Sequence, residues 1–417
     1  MPTRIPPHLA EPKLTYASAD DDAYITAVVR GFHGDFSAEH WEQEKPVVEW
    51  DRLFGFRVED RWIATCGAYS RTLTVPGGQV PAAAVTIVTV APAYRRRGLL
   101  THMMRHQLEE VRSRGTEPVA LLWASESLIY GRYGYGHATP RTALKGQTRA
   151  MAFLPSVELG PGSVDEVSRD EFATAGPELR QRVIGERPGY LNRTEGWWSL
   201  LLYDPESWRH GASSKRYALH FDAAGAVDGY AIFRLKNMPE SEFPSMEVQV
   251  LEVEAVTPGA YAALWRFLLD LDLVRSFRRG NAPFDEPLRH LVLDHRAIAT
   301  EVNDGTYARI LDVAAALEAR RYAAPVDLVV EVHDQLLTDV SGCYRLQGDH
   351  DGGAVTRTRQ SPDVSLAVRE LGATYLGGVP LNALHRAGLV GEHTAGAVNR
   401  LSSALAWPVL PFCPDHF

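Results

Sequence analysis

Between residues 53 and 90, apolar positions fall in short runs separated by polar residues and by the dipeptide Gly77-Gly78. Runs at 53–58, 63–69 and 72–75 predict strands, and a further run at 84–90 follows the Gly-Gly turn, which together read as an antiparallel meander. At residue 99 the period changes. Leu100, Met104, Leu108 and Val111 recur at helical spacing, Arg105, Glu109, Glu110 and Arg112 fall on the other faces, and Gly115 supplies a stop. The run PVALLWA (118–124) then predicts a buried strand. Strand, turn, helix and strand make a right-handed crossover that returns the second strand beside or near the first. Upstream, Ser18 and Asp21 have capping-box spacing, which predicts a helix from there toward Gly31. The acids Asp20, Asp21 and Asp22 suit a helix start better than a metal site.

A second segment repeats this order. After the connection Gly160-Pro161-Gly162 come a helical stretch at 170–185, strands at 218–221 and 229–235, the strand MEVQVLEVEAV (246–256) and the helix AYAALWRFLLDLDLV (260–274). The turn between the last two is VTPGA (256–260), with no arginine, whereas the first turn is APAYRRRGLL (91–100). A third segment opens near Tyr307. It holds the short helix LDVAAALEARRY (311–322), strands VDLVVEVHD, SGCYRLQGD, GAVTRTRQ and VSLAVRE, and helices around 381–387 and 395–406.

Composition narrows the classes. The chain has 417 residues, 45% hydrophobic and 23% charged, which predicts two or three globular domains. A net charge of −9 argues against a general nucleic-acid binder and modestly favours cationic small molecules. Cys66, Cys343 and Cys413 have neither metal-ligand spacing nor a disulfide framework, which suits a reducing cytosol. The N-terminal stretch lacks the apolar core of a signal peptide, and no apolar run is long enough to span a bilayer. The expectation is a cytoplasmic protein without a metal, and Asn192-Arg193-Thr194 is a chance glycosylation match.

The basic turn carries the first candidate chemistry. A glycine at a helix head lets the backbone approach a ligand, the first helical N–H groups lack internal partners, and the dipole with flanking arginines favours an anion. Arg95, Arg96, Arg97, Gly98, Leu99 and Leu100 can thus hold a pyrophosphate. Walker A, Gly-x-Gly-x-x-Gly, His-Glu-x-x-His and Gly-x-Ser-x-Gly patterns are all absent. The chain end WPVLPFCPDHF (407–417) is unusual, because three prolines restrict it and its apolar side chains need a place to pack. It reads as a tail inserted into the protein.

Arg-x-x-Gly at a strand-to-helix turn, followed after the next strand by SESLIYGRYGYGHAT (125–139), resembles the GCN5-related N-acetyltransferase superfamily. That loop usually ends in Gly or Ala, and here the final position is Leu100. RRRGLL together with ASESLIYGRYGYG is very similar to the Eis (enhanced intracellular survival) family. The resemblance implies an α/β fold (α+β) with tandem acetyltransferase domains, the second degenerate, and a sterol-carrier-protein-like C-terminal domain, at about residues 1–148, 149–300 and 301–417. It implies acetyl-CoA as co-substrate, its pyrophosphate on the 95–98 loop, its pantetheine paired with Val88 and Val90, and Ser125 near the thioester. Tyr130 falls at the general acid and the carboxylate of Phe417 at the general base, with His416 where the family usually has an acid. The same resemblance implies a homohexamer acting on primary amines of polycations such as aminoglycosides. Asp35, Glu39 and Trp41 are candidates for attracting the amine by position alone, set against an ordinary solvated helix face, and His33 and His40 read as surface or packing residues. Two alternatives stay open: a lysine or polyamine acetyltransferase, and a non-catalytic acyl-CoA sensor or lipid carrier.

Overall fold

The structure, a computed structural model, describes residues 11–19, 21–238 and 244–417, so Asp20 lies outside the described residues. The chain forms two compact units: the first comprises residues up to Thr139 with Gly305–Pro408 and Asp415–Phe417, the second Pro140–Asp304 with Val409–Pro414.

The first unit begins with β1 (Lys13–Tyr16), α1 (Asp22–Gly31), α2 (Ala38–Glu44), β2 (Phe54–Val58), β3 (Arg61–Val75), β4 (Gly78–Val90), α3 (Leu99–Arg114), β5 (Val119–Trp123), α4 (Ser127–Tyr130) and β6 (Gly136–His137). Strands β1 to β4 are antiparallel, and β5 lies parallel to β4, as the crossover requires. The expected break between 69 and 72 does not occur, because β4 pairs with β3 without interruption from Gly67 to Val75 and holds Arg71 in the ladder opposite Ala82. The helix cap is also displaced from Ser18. Asp21 accepts from the Tyr24 N–H and from Trp62 Nε1, both at 3.0 Å, while Ser18 only accepts the turn bond from the Asp21 N–H. Alternation along β2 and β3 divides the core. Leu53 and Trp62 join Tyr24, Ile25 and Val28 of α1, and Phe54 and Ile63 join Leu99 and Met103 of α3.

The second unit contains β7 (Pro140–Gln147), β8 (Ser163–Val167), α5 (Arg169–Val183), α6 (Glu195–Leu202), β9 (Arg216–Phe221), β10 (Val227–Asn237), β11 (Met246–Ala255), α7 (Pro258–Asp270), β12 (Val274–Pro283), α8 (Leu288–Leu291) and β13 (Ala299–Asp304), in a sheet ordered β13-β7-β12-β11-β10-β9-β8. Helix α7 ends four residues before the expected 274. Leu271 turns extended, Leu273 adopts φ 64°, and Val274 opens the buried edge of β12.

The chain then returns to the first unit. β14 (Thr306–Ile310) inserts between β5 and β6, completing the sheet β1-β2-β3-β4-β5-β14-β6. After α9 (Val313–Glu318) come β15 (Val326–His333), β16 (Gly342–Asp349), β17 (Gly352–Thr358), β18 (Val364–Ala367), α10 (Val368–Thr374), α11 (Leu381–Arg386), β19 (Val390–Glu392) and α12 (Ala397–Leu405), with a sheet ordered β17-β16-β15-β18-β19. The expected strand VSLAVRE is strand only to Ala367; from Val368 it is α10, whose residues 368 and 370–374 are buried.

Candidate active site

The basic loop departs twice from ordinary backbone geometry. Arg96 (φ 61°) and Gly98 (φ 84°) are both left-handed, which is strained for arginine and free for glycine. Gly98 is the N-cap of α3 and places no side chain over the helix N–H groups. The side chains of Arg95, Arg96 and Arg97 are exposed, Leu99 is buried against Met103, and Leu100 is half-buried. Arg97 lies over the Tyr94 ring at 5.1 Å, and Arg95 Nε donates to the Val90 carbonyl at 3.1 Å.

Strands β4 and β5 part beside this loop. Their parallel pairing runs from Ala82↔Val119 to Val85↔Leu122 and goes no further. Over residues 86–90, β4 keeps its pairing with β3 through a bulge, where Ile87 has φ 50°. The edge of 86–90 that would face β5 is therefore open to an extended ligand, and Val88 and Val90 on it are half-buried. The fit with Val90 is partial, since Arg95 already occupies its carbonyl.

At the same end, β5 leads through the exposed Ser125 into α4, whose last residue is Tyr130. Tyr130 is 8% exposed. Burial pushes its phenol well above the ordinary range, so it stays protonated at any physiological pH. Its ring stands edge-on to Tyr135 at 6.0 Å, and Tyr133 Oη reaches Thr101 Oγ1 in the first turn of α3 at 3.2 Å, tying the aromatic turn to the helix head.

The chain terminus comes to this end of β5 as well. Trp123, its last residue, donates from Nε1 to the Asp415 carbonyl at 2.8 Å, and its indole stacks on His416 at 4.4 Å. Phe417 follows, half-buried. Nothing in the sequence marked Trp123 as the seat of the tail. The only available signal was an aromatic residue at the end of a buried strand.

The other candidates divide. Trp41 is a core residue packed on Trp50, while Asp35, Glu39 and His33 are exposed and His40 is half-buried. Two cavities flank the loop. One of about 470 Å³ is bounded by α1 and by Thr89, Ala91 and Pro92, and one of about 520 Å³ by Arg97, Leu99, His102 and Arg105.

Residues 15–138 match the acetyltransferase (GNAT) domain family, 189–310 match a second acetyltransferase (GNAT) domain family, and 313–414 match the sterol carrier protein domain family. Fold and matches together define an N-acetyltransferase with two such domains and a sterol-carrier-like one. The chain is 42% identical over 407 residues to an uncharacterized N-acetyltransferase of Streptomyces avermitilis, covering 95% of this chain and 97% of that one. It is 35% identical over 346 residues, 80% of each chain, to N-acetyltransferase Eis of Mycobacterium tuberculosis. The crystal structure of Eis1 from Mycobacterium abscessus matches with a TM-score of 0.84 at 32% identity, over 98% of this chain and all of that one. The chain belongs to the Eis family of N-acetyltransferases.

Proposed function

We propose that the protein transfers the acetyl group of acetyl-CoA to primary amines of polycationic small molecules, aminoglycosides among them. The observation that carries this reading is the coincidence of three features at one end of the first sheet: an open β4 edge, an uncapped helix head beside three exposed arginines, and a chain terminus seated on Trp123. Residues 95–98, with Leu99 and Leu100 opening the helix, hold the pyrophosphate. Val88 and Val90 direct the pantetheine arm along the open edge, and Ser125 borders the thioester.

Chemistry then needs an acid and a base. The substrate ammonium first gives a proton through water to the Phe417 carboxylate, the freed amine nitrogen bonds to the thioester carbonyl carbon, the C–S bond breaks, and a second nitrogen proton ends on the departing CoA sulfur as the thiol. A thiolate leaving group has a reference pKa of about 8.5 against about 10 for tyrosine, so full transfer in water is uphill by about 2 kcal/mol. In a dry site the thiolate is destabilised too, as burial also raises the Cys66 thiol of this sheet. Tyr130 therefore acts chiefly as a hydrogen-bond donor to the developing sulfur charge. An α-carboxylate is a weak base, and here it also selects a cation.

The division of labour follows residues 1–148, 149–300 and 301–417. The active form is a cytoplasmic homohexamer, which light scattering checks. The chemistry is tested by thiol release from acetyl-CoA with an aminoglycoside, a polyamine and a lysine peptide. Tyr130→Phe and deletion of Phe417 should each lower kcat by about 100-fold or more while CoA binding persists. Unchanged kcat in both variants refutes the mechanism, and CoA binding without turnover on any amine points to a sensor or carrier.

A further inference from the structure

The second unit lacks the basic loop, and the segment of tail assigned to it is held by a dedicated set of contacts. Arg187 Nη1 donates both to Asp285 Oδ1 at 2.7 Å and to the Leu410 carbonyl at 2.6 Å, and the Leu410 N–H donates to Asp285 Oδ2 at 3.1 Å. One ion pair thus grips the donor and the acceptor of one tail residue, as a neighbouring strand would. Two residues on, the Phe412 N–H donates to the Pro188 carbonyl at 2.9 Å, and the Phe412 ring is buried with Ile184 and Tyr190. Gly189, at φ 94°, lies under Phe412 so closely that a Cβ there would come within 2.7 Å of the Phe412 carbonyl oxygen. Tyr190 is fixed from behind, since its hydroxyl donates to Glu254 of β11 and its ring carries the Arg180 guanidinium at 3.7 Å.

We infer that the second acetyltransferase-like domain is a receptor for the C-terminal segment, and that Arg187, Asp285 and Gly189 are positioning residues for the terminal carboxylate. The inference rests on the reading of Phe417 as the base. Val409–Pro414 belong to the second unit and Asp415–Phe417 to the first, so the grip fixes the chain three residues ahead of the terminal residue, and Trp123 holds Asp415 and His416 beyond it. Pro408, Pro411 and Pro414 reduce the freedom of the segment further. Without the grip the segment leading to the carboxylate gains conformational freedom, and small misplacements of a reacting group are costly. The signature is therefore a loss in kcat with little change in the KM for acetyl-CoA.

The test uses the full chain as wild type, Asp285→Ala, Gly189→Val, Arg187→Ala, Arg187→Lys and a Phe417 deletion. Two quantities are read: release of Phe417 by a carboxypeptidase, followed by intact mass, and steady-state kinetics on the amine. Variants are compared only where CoA binding matches wild type, and Asp285→Asn replaces any that fails to fold. Asp285→Ala and Gly189→Val should free the terminus to digestion and lower kcat by about 100-fold, with the acetyl-CoA KM retained. Arg187→Lys should lie between Arg187→Ala and wild type in both readouts. Digestion at the wild-type rate in Asp285→Ala and Gly189→Val overturns the receptor. Unchanged kcat in these variants, with the Phe417 deletion inactive, overturns the positioning role and leaves Phe417 as base intact. A fully active Phe417 deletion overturns the base itself and the positioning role with it.

Discussion

Each unit has a long strand, a turn, a helix and a parallel strand, and the helices begin in opposite ways. In the first unit α3 starts on Gly98, which contributes no side chain, after a loop with three exposed arginines. In the second, α7 starts on Thr257, whose hydroxyl accepts from the Ala260 N–H at 3.1 Å, with Pro258 removing a further donor. The strand edges differ in the same sense. The pairing of β11 with β12 also ends early, at Gln249↔Arg278, and the stretch beyond carries buried acids that are already paired. Glu252 receives Arg193 in a two-point pair and Glu254 receives Arg180 and Tyr190. The same topology thus carries an uncapped helix head in the first unit, and in the second a head capped by Thr257 beside buried, paired acids.

Closing the first head should have the largest effect. Gly98→Thr forces a β-branched residue to φ 84° and offers a hydroxyl to the helix N–H groups, so CoA affinity should fall about tenfold or more, measured by calorimetric titration. A smaller effect separates the supports by pH. Burial alone would raise the Glu252 carboxyl, but the Arg193 pair outweighs it and holds it at about 2. A carboxylate depressed in the folded state adds stability above its unfolded value and loses it on acidification, here between about pH 5 and pH 2. Thermal melting of wild type should therefore fall steeply over that range, and Glu252→Gln, less stable at pH 7, should fall less. The mildest change is Thr257→Ala, which removes the second helix's own cap. About 1 kcal/mol of stability should disappear from the melting curve while acetyl transfer is unchanged.

The sequence made the local parts of this comparison readable and hid the distant ones. The crossover of β4, α3 and β5 follows from period changes and from Gly115, which caps α3 in the left-handed conformation. The absence of arginines from the second turn was equally plain. The bulge at Ile87 was not, because a β-branched residue gives no hint of positive φ and the distortion belongs to the pairing of two strands. Trp41 looked like a site residue because position along a helix says nothing about which face packs on Trp50. The tail was recognisable as apolar and restrained. Its partners Trp123, Arg187 and Asp285 lie far away in sequence and carry no motif.

The placement of β14 bears on biosynthesis. The edge of β5, the apolar stretch VALLW, is covered by Thr306–Ile310, which emerges only after the entire second unit has been made. At roughly 5–20 residues per second, that interval lasts about 10–40 s, during which a bare hydrophobic edge waits on the ribosome for its neighbour. A fragment ending at residue 148 never receives that neighbour and should aggregate, so the catalytic sheet is a product of the whole chain and not of its first third.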